Sequence, residues 1–127
     1  MARRLILDSG GLIAVQRGDR RVMEAVKAAR AEGVLVIPAV VLAQVLRGGA
    51  RDAPINQLLR GAHVPFVGLR LARLAGRLIG ASGVEDAADA LIAAEALRGE
   101  PCVLVTSDPD DMRRLIQDQH RVRIFAV

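Results

Sequence analysis

The sequence of 127 residues contains no tryptophan and no tyrosine, and its aromatic side chains are Phe66 and Phe125. Proteins that bind nucleic-acid bases or quaternary amines by stacking need a larger set of aromatic rings. The composition therefore argues against recognition by aromatic stacking. Apolar residues still make up 52% of the chain, which predicts a folded domain with a core of aliphatic side chains.

Cysteine and long apolar runs are also scarce. Cys102 is the single cysteine, so the chain cannot form an internal disulfide, and a reducing compartment fits best. The longest uncharged apolar stretch, residues 34–46, contains Pro38 and is too short to span a bilayer. The first residues lack the layout of a signal peptide. These features predict a cytoplasmic protein that does not contact the membrane.

Lysine is nearly absent, since Lys27 is the only lysine among 18 basic residues and the others are arginine. The formal net charge is +4. A small, basic, arginine-rich protein attracts polyanions such as RNA, and the guanidinium group is suited to phosphate. The charge by itself leaves a second interpretation open, in which the surface is basic without binding a polyanion.

Short apolar runs alternate along the chain with segments of helical periodicity. They predict strands at residues 3–7, 34–37, 64–67, 102–106 and 122–127, of which the third is weak because a proline interrupts it. They predict helices that end near residue 15 and that cover residues 20–31, 38–46, 69–79, 85–97 and 109–117, with a short helix from residue 52. Continuous apolar strands joined by helices are typical of a parallel sheet covered on both faces. We predict one domain over residues 1–127 with an α/β fold, a three-layer α/β/α sandwich around a mainly parallel sheet.

Acidic residues follow two of the predicted strands and begin one of the helices. Asp8 ends the first strand and Asp108 follows the strand at residues 102–106, while Asp86 and Asp89 share one helix face. Because ligands of parallel sheets bind beyond the carboxyl ends of the strands, we expect these carboxylates to meet there. Clustered carboxylates need a cation, and Mg²⁺ or Mn²⁺ prefers such oxygen ligands. A divalent ion beside arginine side chains is suited to the cleavage of phosphodiesters.

Each acidic residue also has a simpler structural interpretation. Asp108 is suited to cap the helix that follows it, and Asp86 is suited to interact with a helix dipole. Asp110 and Asp111 are explained equally well as first-turn or surface charges. A purely structural role is harder to assign to Asp8, which precedes small turn residues, and to Asp89, which lies among alanines that should pack closely. The three positions together are more informative than any one of them.

Three segments of the sequence together resemble the PIN-domain family, and in particular the VapC-type ribonuclease toxins of toxin–antitoxin pairs. In chain order these segments are LILDS at residues 5–9, DALIAA at residues 89–94 and VTSDPD at residues 105–110. The resemblance covers essentially the whole chain. It implies a PIN-like fold and a Mg²⁺- or Mn²⁺-dependent endoribonuclease, often a homodimer, that a cognate antitoxin encoded beside it inhibits.

The resemblance also implies roles for individual residues. Asp8 and Asp89 match metal-binding positions of the family, and Asp108 matches its fourth acidic position. Asp86 and Asp110 lie where some members carry further acidic residues.

One position departs from the family pattern. The family usually carries Glu in the helix after the second strand, where this sequence has Gln44. A neutral amide still orients water or a ligand, but it contributes no charge to a metal site. Two alternatives follow. Either the protein is an active nuclease with an altered metal preference, or it is a catalytically weakened module that binds RNA or a protein partner without cleaving.

The resulting hypothesis is that Asp8, Asp89 and Asp108 hold one or two divalent ions, which generate the water nucleophile that attacks phosphorus. The substrate is RNA, with tRNA or another structured RNA as candidates. The remaining assignments, by role, are catalytic support from Gln44, Asp86 and Asp110, orientation of the carboxylates by Ser9 and Thr106, and RNA binding by Arg47 and Arg51.

The sequence lacks the signatures of other ligand-binding sites that occur in α/β folds. A receiver domain pairs its acidic residues with a lysine after a late strand, whereas Lys27 lies far too early. A dinucleotide-binding turn requires G-x-G-x-x-G after the first strand and a P-loop requires G-x-x-x-x-G-K-[ST], and neither motif is present.

Overall fold

The structure is a computed structural model that describes residues 3–117 and 120–127. Its strands are β1 (Arg4–Leu7), β2 (Leu35–Val36), β3 (Cys102–Thr106) and β4 (Val122–Ala126). Its helices are α1 (Ser9–Gln16), α2 (Arg20–Glu32), α3 (Ala39–Val45), α4 (Ala53–Leu59), α5 (Leu69–Ser82), α6 (Ala87–Arg98) and α7 (Pro109–Ile116). A short 3₁₀ helix at Ala50–Asp52 precedes α4.

The four strands form a parallel sheet in the order β2-β1-β3-β4. From β1 the chain moves outward to β2, and it later returns to the other side of β1 to form β3. The strand order therefore reverses between β1 and β3, the two central strands. Crevices for ligands in open parallel sheets lie beyond the carboxyl ends of the strands at such a reversal. Asp8 and Asp108 follow these two strands.

The core is aliphatic, as the composition predicts. Its largest fully buried side chains include Ile6, Leu7, Leu12, Leu35 and Ile37. The three apolar residues of β1 are all buried, as expected of a central strand that helices cover on both faces. Phe66 is 81% exposed and contributes little to this core. The predicted three-layer α/β/α fold with a parallel sheet is confirmed.

The prediction of a weak strand at residues 64–67 is wrong. Near this segment, His63 forms an isolated bridge to the edge strand β2. Its N–H donates to Leu35 O, and its carbonyl accepts a hydrogen bond from the N–H of Ile37. Pro65 follows two residues later and has no N–H to continue the ladder. The segment instead runs as a loop into α5.

No helix within residues 3–117 and 120–127 combines the length and the hydropathy that a membrane crossing requires.

Candidate metal centre

The candidate site begins with Asp8, which lies between the end of β1 and the start of α1. Its buried side chain caps α1 by accepting a hydrogen bond from the N–H of Gly11 at 2.8 Å. Burial raises the pKa of the Asp8 carboxyl, while hydrogen bonds from the Thr106 side chain and from the backbone of Gly10, Gly11 and Ser107 act in the opposite direction. The carboxylate is therefore held by neighbours from the start of α1 and from the end of β3.

Glycine at position 10 allows the start of α1 to approach the end of β3. A Cβ atom on Gly10 would lie 2.2 Å from Oγ of Ser107 and 2.9 Å from its backbone nitrogen. Contacts this short are sterically excluded, so no other residue type fits here without displacing the segment after β3. This close approach brings the Asp8 segment and the Asp108 segment together.

Thr106, the last residue of β3, connects the two acidic segments. Its side chain is buried and hydrogen-bonds to the Asp8 carboxyl. Its Oγ1 also accepts a hydrogen bond from the N–H of Asp108 at 2.9 Å. Thr106 therefore contacts both acidic segments, and its role in orienting the carboxylates stays a prediction. Ser9 begins α1 and is half-buried, whereas the donors to Asp8 are Thr106 and the backbone.

Asp108 occupies the N-cap position of α7, but its side chain makes no capping hydrogen bond. The carboxylate instead belongs to a group of three. One carboxylate oxygen from each of Asp89, Asp108 and Asp111 lies within 4.8 Å of the other two. The simpler interpretation of Asp108 as only a helix cap therefore does not account for the direction of its side chain.

The negative charges of the neighbouring carboxylates make it harder for Asp89 to ionise. Its pKa is raised to about 6, first by burial and then by the negative charges of Asp86, Asp108, Asp8 and Asp111. Asp86 caps α6 by accepting a hydrogen bond from the Asp89 N–H at 3.0 Å, so its charge is held close to Asp89. Three hard oxygen ligands, crowded by further carboxylates, suit a divalent cation such as Mg²⁺ or Mn²⁺. The residues present therefore fit the metal that the sequence predicts.

The group of three contains Asp111 and not Asp8, which the sequence hypothesis counted as a metal ligand, nor Asp110, which it chose as a catalytic residue. The Asp110 side chain is 97% exposed and forms an ion pair with Arg113 at 3.4 Å. Asp111 lies three residues after Asp108, so the two side chains share one face of α7. Helical spacing was thus the available signal for Asp111. Arg114 lies 3.7 Å from the Asp111 carboxylate and compensates part of its charge.

Gln44 and the two arginines chosen from the sequence line one cavity. Gln44 is an exposed residue of α3, and it lines a cavity of about 590 Å³ together with Arg47 and Arg51. The guanidinium of Arg47 donates to the carbonyl oxygens of Gln44 and Leu46, at 2.7 and 2.8 Å. Arg47 therefore closes the carboxyl end of α3, a structural role that the sequence hypothesis did not include.

A parallel α/β/α fold with carboxylates clustered at the reversal of strand order defines a class of α/β domains with an acidic metal site. Within this class, the model of the PIN domain matches residues 5–116, and the chain belongs to the PIN-domain family. PIN domains are generally nucleases that use divalent metal ions.

The fold is also similar to a solved structure, the crystal structure of VapBC2 from Rickettsia felis bound to a DNA fragment from their promoter. The match has a TM-score of 0.74 and 15% sequence identity, and it covers 97% of this chain and 98% of the other. No curated protein sequence matches this chain.

Proposed function

We propose that this protein is a metal-dependent endoribonuclease, the toxin of a toxin–antitoxin pair. In this role it hydrolyses phosphodiester bonds of RNA until its antitoxin binds. The observation that carries the proposal is the group formed by Asp89, Asp108 and Asp111 beside the buried Asp8. Similarity to the VapBC2 structure supports the assignment to the toxin–antitoxin class.

Asp8, Asp89 and Asp108 are the proposed ligands of Mg²⁺ or Mn²⁺, and Asp111 is added as a fourth carboxylate. A bound divalent ion supplies Lewis acidity, which strengthens water as a nucleophile and offsets the negative charge that develops on the phosphate. Thr106 and the backbone of residues 10 and 11 keep Asp8 in one orientation. Asp86 adds negative charge from the edge of the site.

The substitution Asp8→Asn tests the proposal. The purified variant should cleave total tRNA at least about a hundredfold more slowly than the wild type with Mg²⁺ or Mn²⁺, because even residues that only support a metal ligand contribute tenfold or more. Asp110→Asn is the matched control, since this exposed carboxylate pairs with Arg113 outside the group. Cleavage by Asp8→Asn at the wild-type rate would contradict the scheme.

Gln44 favours one alternative function, a PIN module that binds RNA or a protein without cleaving it. The neutral amide stands where the family usually carries a negative charge, which lowers the expected affinity for metal. Calorimetric titration of Mn²⁺ and Mg²⁺, paired with the cleavage assay, separates the two functions. Retained RNA binding without metal binding or cleavage would favour the module.

An apolar groove supports binding of an antitoxin. The groove lies between α2 and α4 and has a volume of about 610 Å³. Met23, Val26 and Leu58 line its apolar floor, and Met23 is 46% exposed. Exposed apolar surface of this kind is typical of protein interaction sites. Met23→Glu should therefore weaken co-purification with an antitoxin while leaving RNA cleavage unchanged.

A second exposed apolar segment supports the homodimer. Phe66, Val67 and Leu69 lie in and just after the loop before α5, and Phe66 and Leu69 are 81% and 67% exposed. We propose that this segment is covered by a second copy of the chain in the cytoplasm. The variant Phe66→Ser/Leu69→Ser should be a monomer in light scattering, whereas the wild type should be a dimer.

A further inference from the structure

The cavity that contains Gln44 has a basic wall. It lies between the carboxyl end of α1, the end of α3 and the 3₁₀ helix before α4. Its polar wall includes Gln16, Arg17, Gln44, Arg47 and Arg51. Three arginines from separate segments thus line one concave surface, and a concentration of positive charge of this kind attracts anions. We call this surface the arginine cavity.

Two of the three guanidinium groups remain available to a ligand. Arg47 is engaged by the carbonyl oxygens at the end of α3. In the part of the chain that the structure describes, no ion pair involves Arg17 or Arg51. The side chain of Gln16 donates to Arg51 O at 3.3 Å, which ties the end of α1 to the 3₁₀ helix and keeps the two arginines on the same wall.

The acidic residue in this wall does not neutralise the arginines by direct pairing. Asp52 is buried, and its carboxylate accepts hydrogen bonds from the backbone N–H groups of Arg47 and Gly48, at 3.0 and 2.6 Å. Its function in the fold is to hold the loop after α3. The wall therefore keeps an excess of positive charge.

Arg17 also lines a second cavity, which reaches two neighbours of Asp8. This cavity, of about 340 Å³, is lined by Gly10, Ser107 and Arg17. Gly10 and Ser107 both provide backbone hydrogen bonds to the Asp8 carboxyl. The two cavities share Ile13 and Arg17, so the surface of α1 is continuous from the neighbours of Asp8 to the arginines.

We propose that the arginine cavity binds a backbone phosphate of the substrate RNA, next to the phosphate that is cleaved, through Arg17 and Arg51. This inference rests on the proposed ribonuclease function. The carboxylate cluster by itself repels RNA, and an adjacent site for a second phosphate offsets that repulsion and fixes the position of the strand. RNA is favoured over an acidic peptide because its phosphates repeat regularly along one strand, which lets a single ligand reach both the cavity and the metal centre.

The test measures RNA binding without cleavage. Binding of a fluorescein-labelled single-stranded RNA of mixed sequence is followed by anisotropy in EDTA, for the wild type and for Arg17→Ala/Arg51→Ala. The variant should bind about tenfold more weakly or worse, because each charge-assisted hydrogen bond contributes about a factor of ten. The slope of log K against log salt should fall by about 0.7 for each phosphate group that the variant no longer binds.

The matched control is Arg60→Ala/Arg123→Ala, which removes the same charge from two exposed residues outside the cavity. The control should bind RNA nearly as tightly as the wild type. Arg17→Lys/Arg51→Lys keeps the charge and should recover part of the affinity, and circular dichroism verifies the folding of each variant. Equal weakening in the cavity variant and the control, or no weakening in either, would overturn the inference.

Other arms of the experiment separate the possible ligands. If a polyglutamate peptide loses affinity for the cavity variant and RNA does not, the site belongs to an acidic protein and the inference fails. If inorganic phosphate perturbs the Arg17 and Arg51 Nε resonances while RNA binding ignores both residues, the cavity is a site for free phosphate and the inference also fails. A wild type that binds RNA through the cavity but cleaves none with Mg²⁺ or Mn²⁺ refutes the ribonuclease function alone.

Discussion

Charged side chains cluster at both ends of the sheet, but they are paired at the amino end and largely unpaired at the carboxyl end. At the amino end, Glu95 is buried and accepts two hydrogen bonds from the Arg98 guanidinium at 2.7 and 2.8 Å, with Arg4 at 3.8 Å. Arg4 also donates to the carbonyl oxygens of Ala96 and Glu100. At this end, the acidic side chain and both basic ones have partners within the chain.

At the carboxyl end, carboxylates accumulate with little compensation. Asp8, Asp89 and Asp108 form no ion pair within residues 3–117 and 120–127, and Arg114 compensates Asp111 alone. Burial and mutual repulsion raise the pKa of Asp89 to about 6. Opposite charges in a paired cluster attract one another within the fold. Like charges in an unpaired cluster repel one another and lower the stability of the fold until a ligand binds. The comparison supports the proposal that the carboxyl end holds the metal site.

The largest expected effect comes from breaking the paired cluster. Glu95→Gln removes a buried carboxylate and leaves two guanidinium groups without it, which should lower the free energy of unfolding by about 3 kcal/mol. Urea unfolding in EDTA measures the loss. Glu100→Gln is the control, because the structure engages the backbone carbonyl of this exposed residue and not its carboxylate. Affinity for Mn²⁺ should be unchanged in both folded variants, and a selective loss of metal binding in Glu95→Gln would break the comparison.

The second prediction concerns a substitution that pushes apart the segments after β1 and β3, which contain Asp8 and Asp108. Gly10→Ala places a methyl group against Ser107 and should cost about 2 kcal/mol through overpacking, together with a loss of metal affinity. Gly76→Ala in α5 is the control: nothing lies near its added methyl group, and it should stabilise the protein by up to about 1 kcal/mol. Urea unfolding and calorimetric Mn²⁺ titration measure both quantities. An unchanged metal affinity in Gly10→Ala would show that the site does not depend on this close approach.

The sequence predicted the fold almost completely, because the signals are local. Apolar runs, glycines and prolines mark most boundaries, and the one wrong strand depended on reading through Pro65. Of the three carboxylates that the sequence hypothesis assigned to the metal, the structure groups Asp89 with Asp108, and Asp8 lies beside them. The same hypothesis chose Asp110 over Asp111, although the three-residue spacing from Asp108 on one helix face favours Asp111. The approach of Gly10 to Ser107, residues far apart in the chain, has no local signal at all.

The third effect concerns the choice between those neighbouring acids. Asp111→Asn removes one oxygen ligand charge from the group and should weaken Mn²⁺ binding about tenfold, which corresponds to about 1.4 kcal/mol. Asp110→Asn changes the same charge one residue away, in an exposed ion pair, and should leave the affinity unchanged. Calorimetric titration of both variants measures the difference. The opposite ranking would restore Asp110 to the site and remove Asp111.

The smallest effect is the cost of the unpaired charge itself. The pKa of Asp89 is raised in the folded protein from 3.8 to about 6, so the folded state binds the proton more tightly than the unfolded chain. This contribution to stability is fully present below pH 3.8 and is lost as the pH rises to about 6.

In EDTA at pH 7.5, Asp89→Asn should therefore be more stable than the wild type by about 1 kcal/mol, after allowance for solvent screening of this half-buried group. Thermal melts should show the advantage shrinking toward pH 4. Added Mg²⁺ should raise the melting temperature of the wild type more than that of the variant. A variant that is less stable than the wild type at pH 7.5 in EDTA would mean that the charge is compensated within the fold, and the carboxyl end would then resemble the amino end.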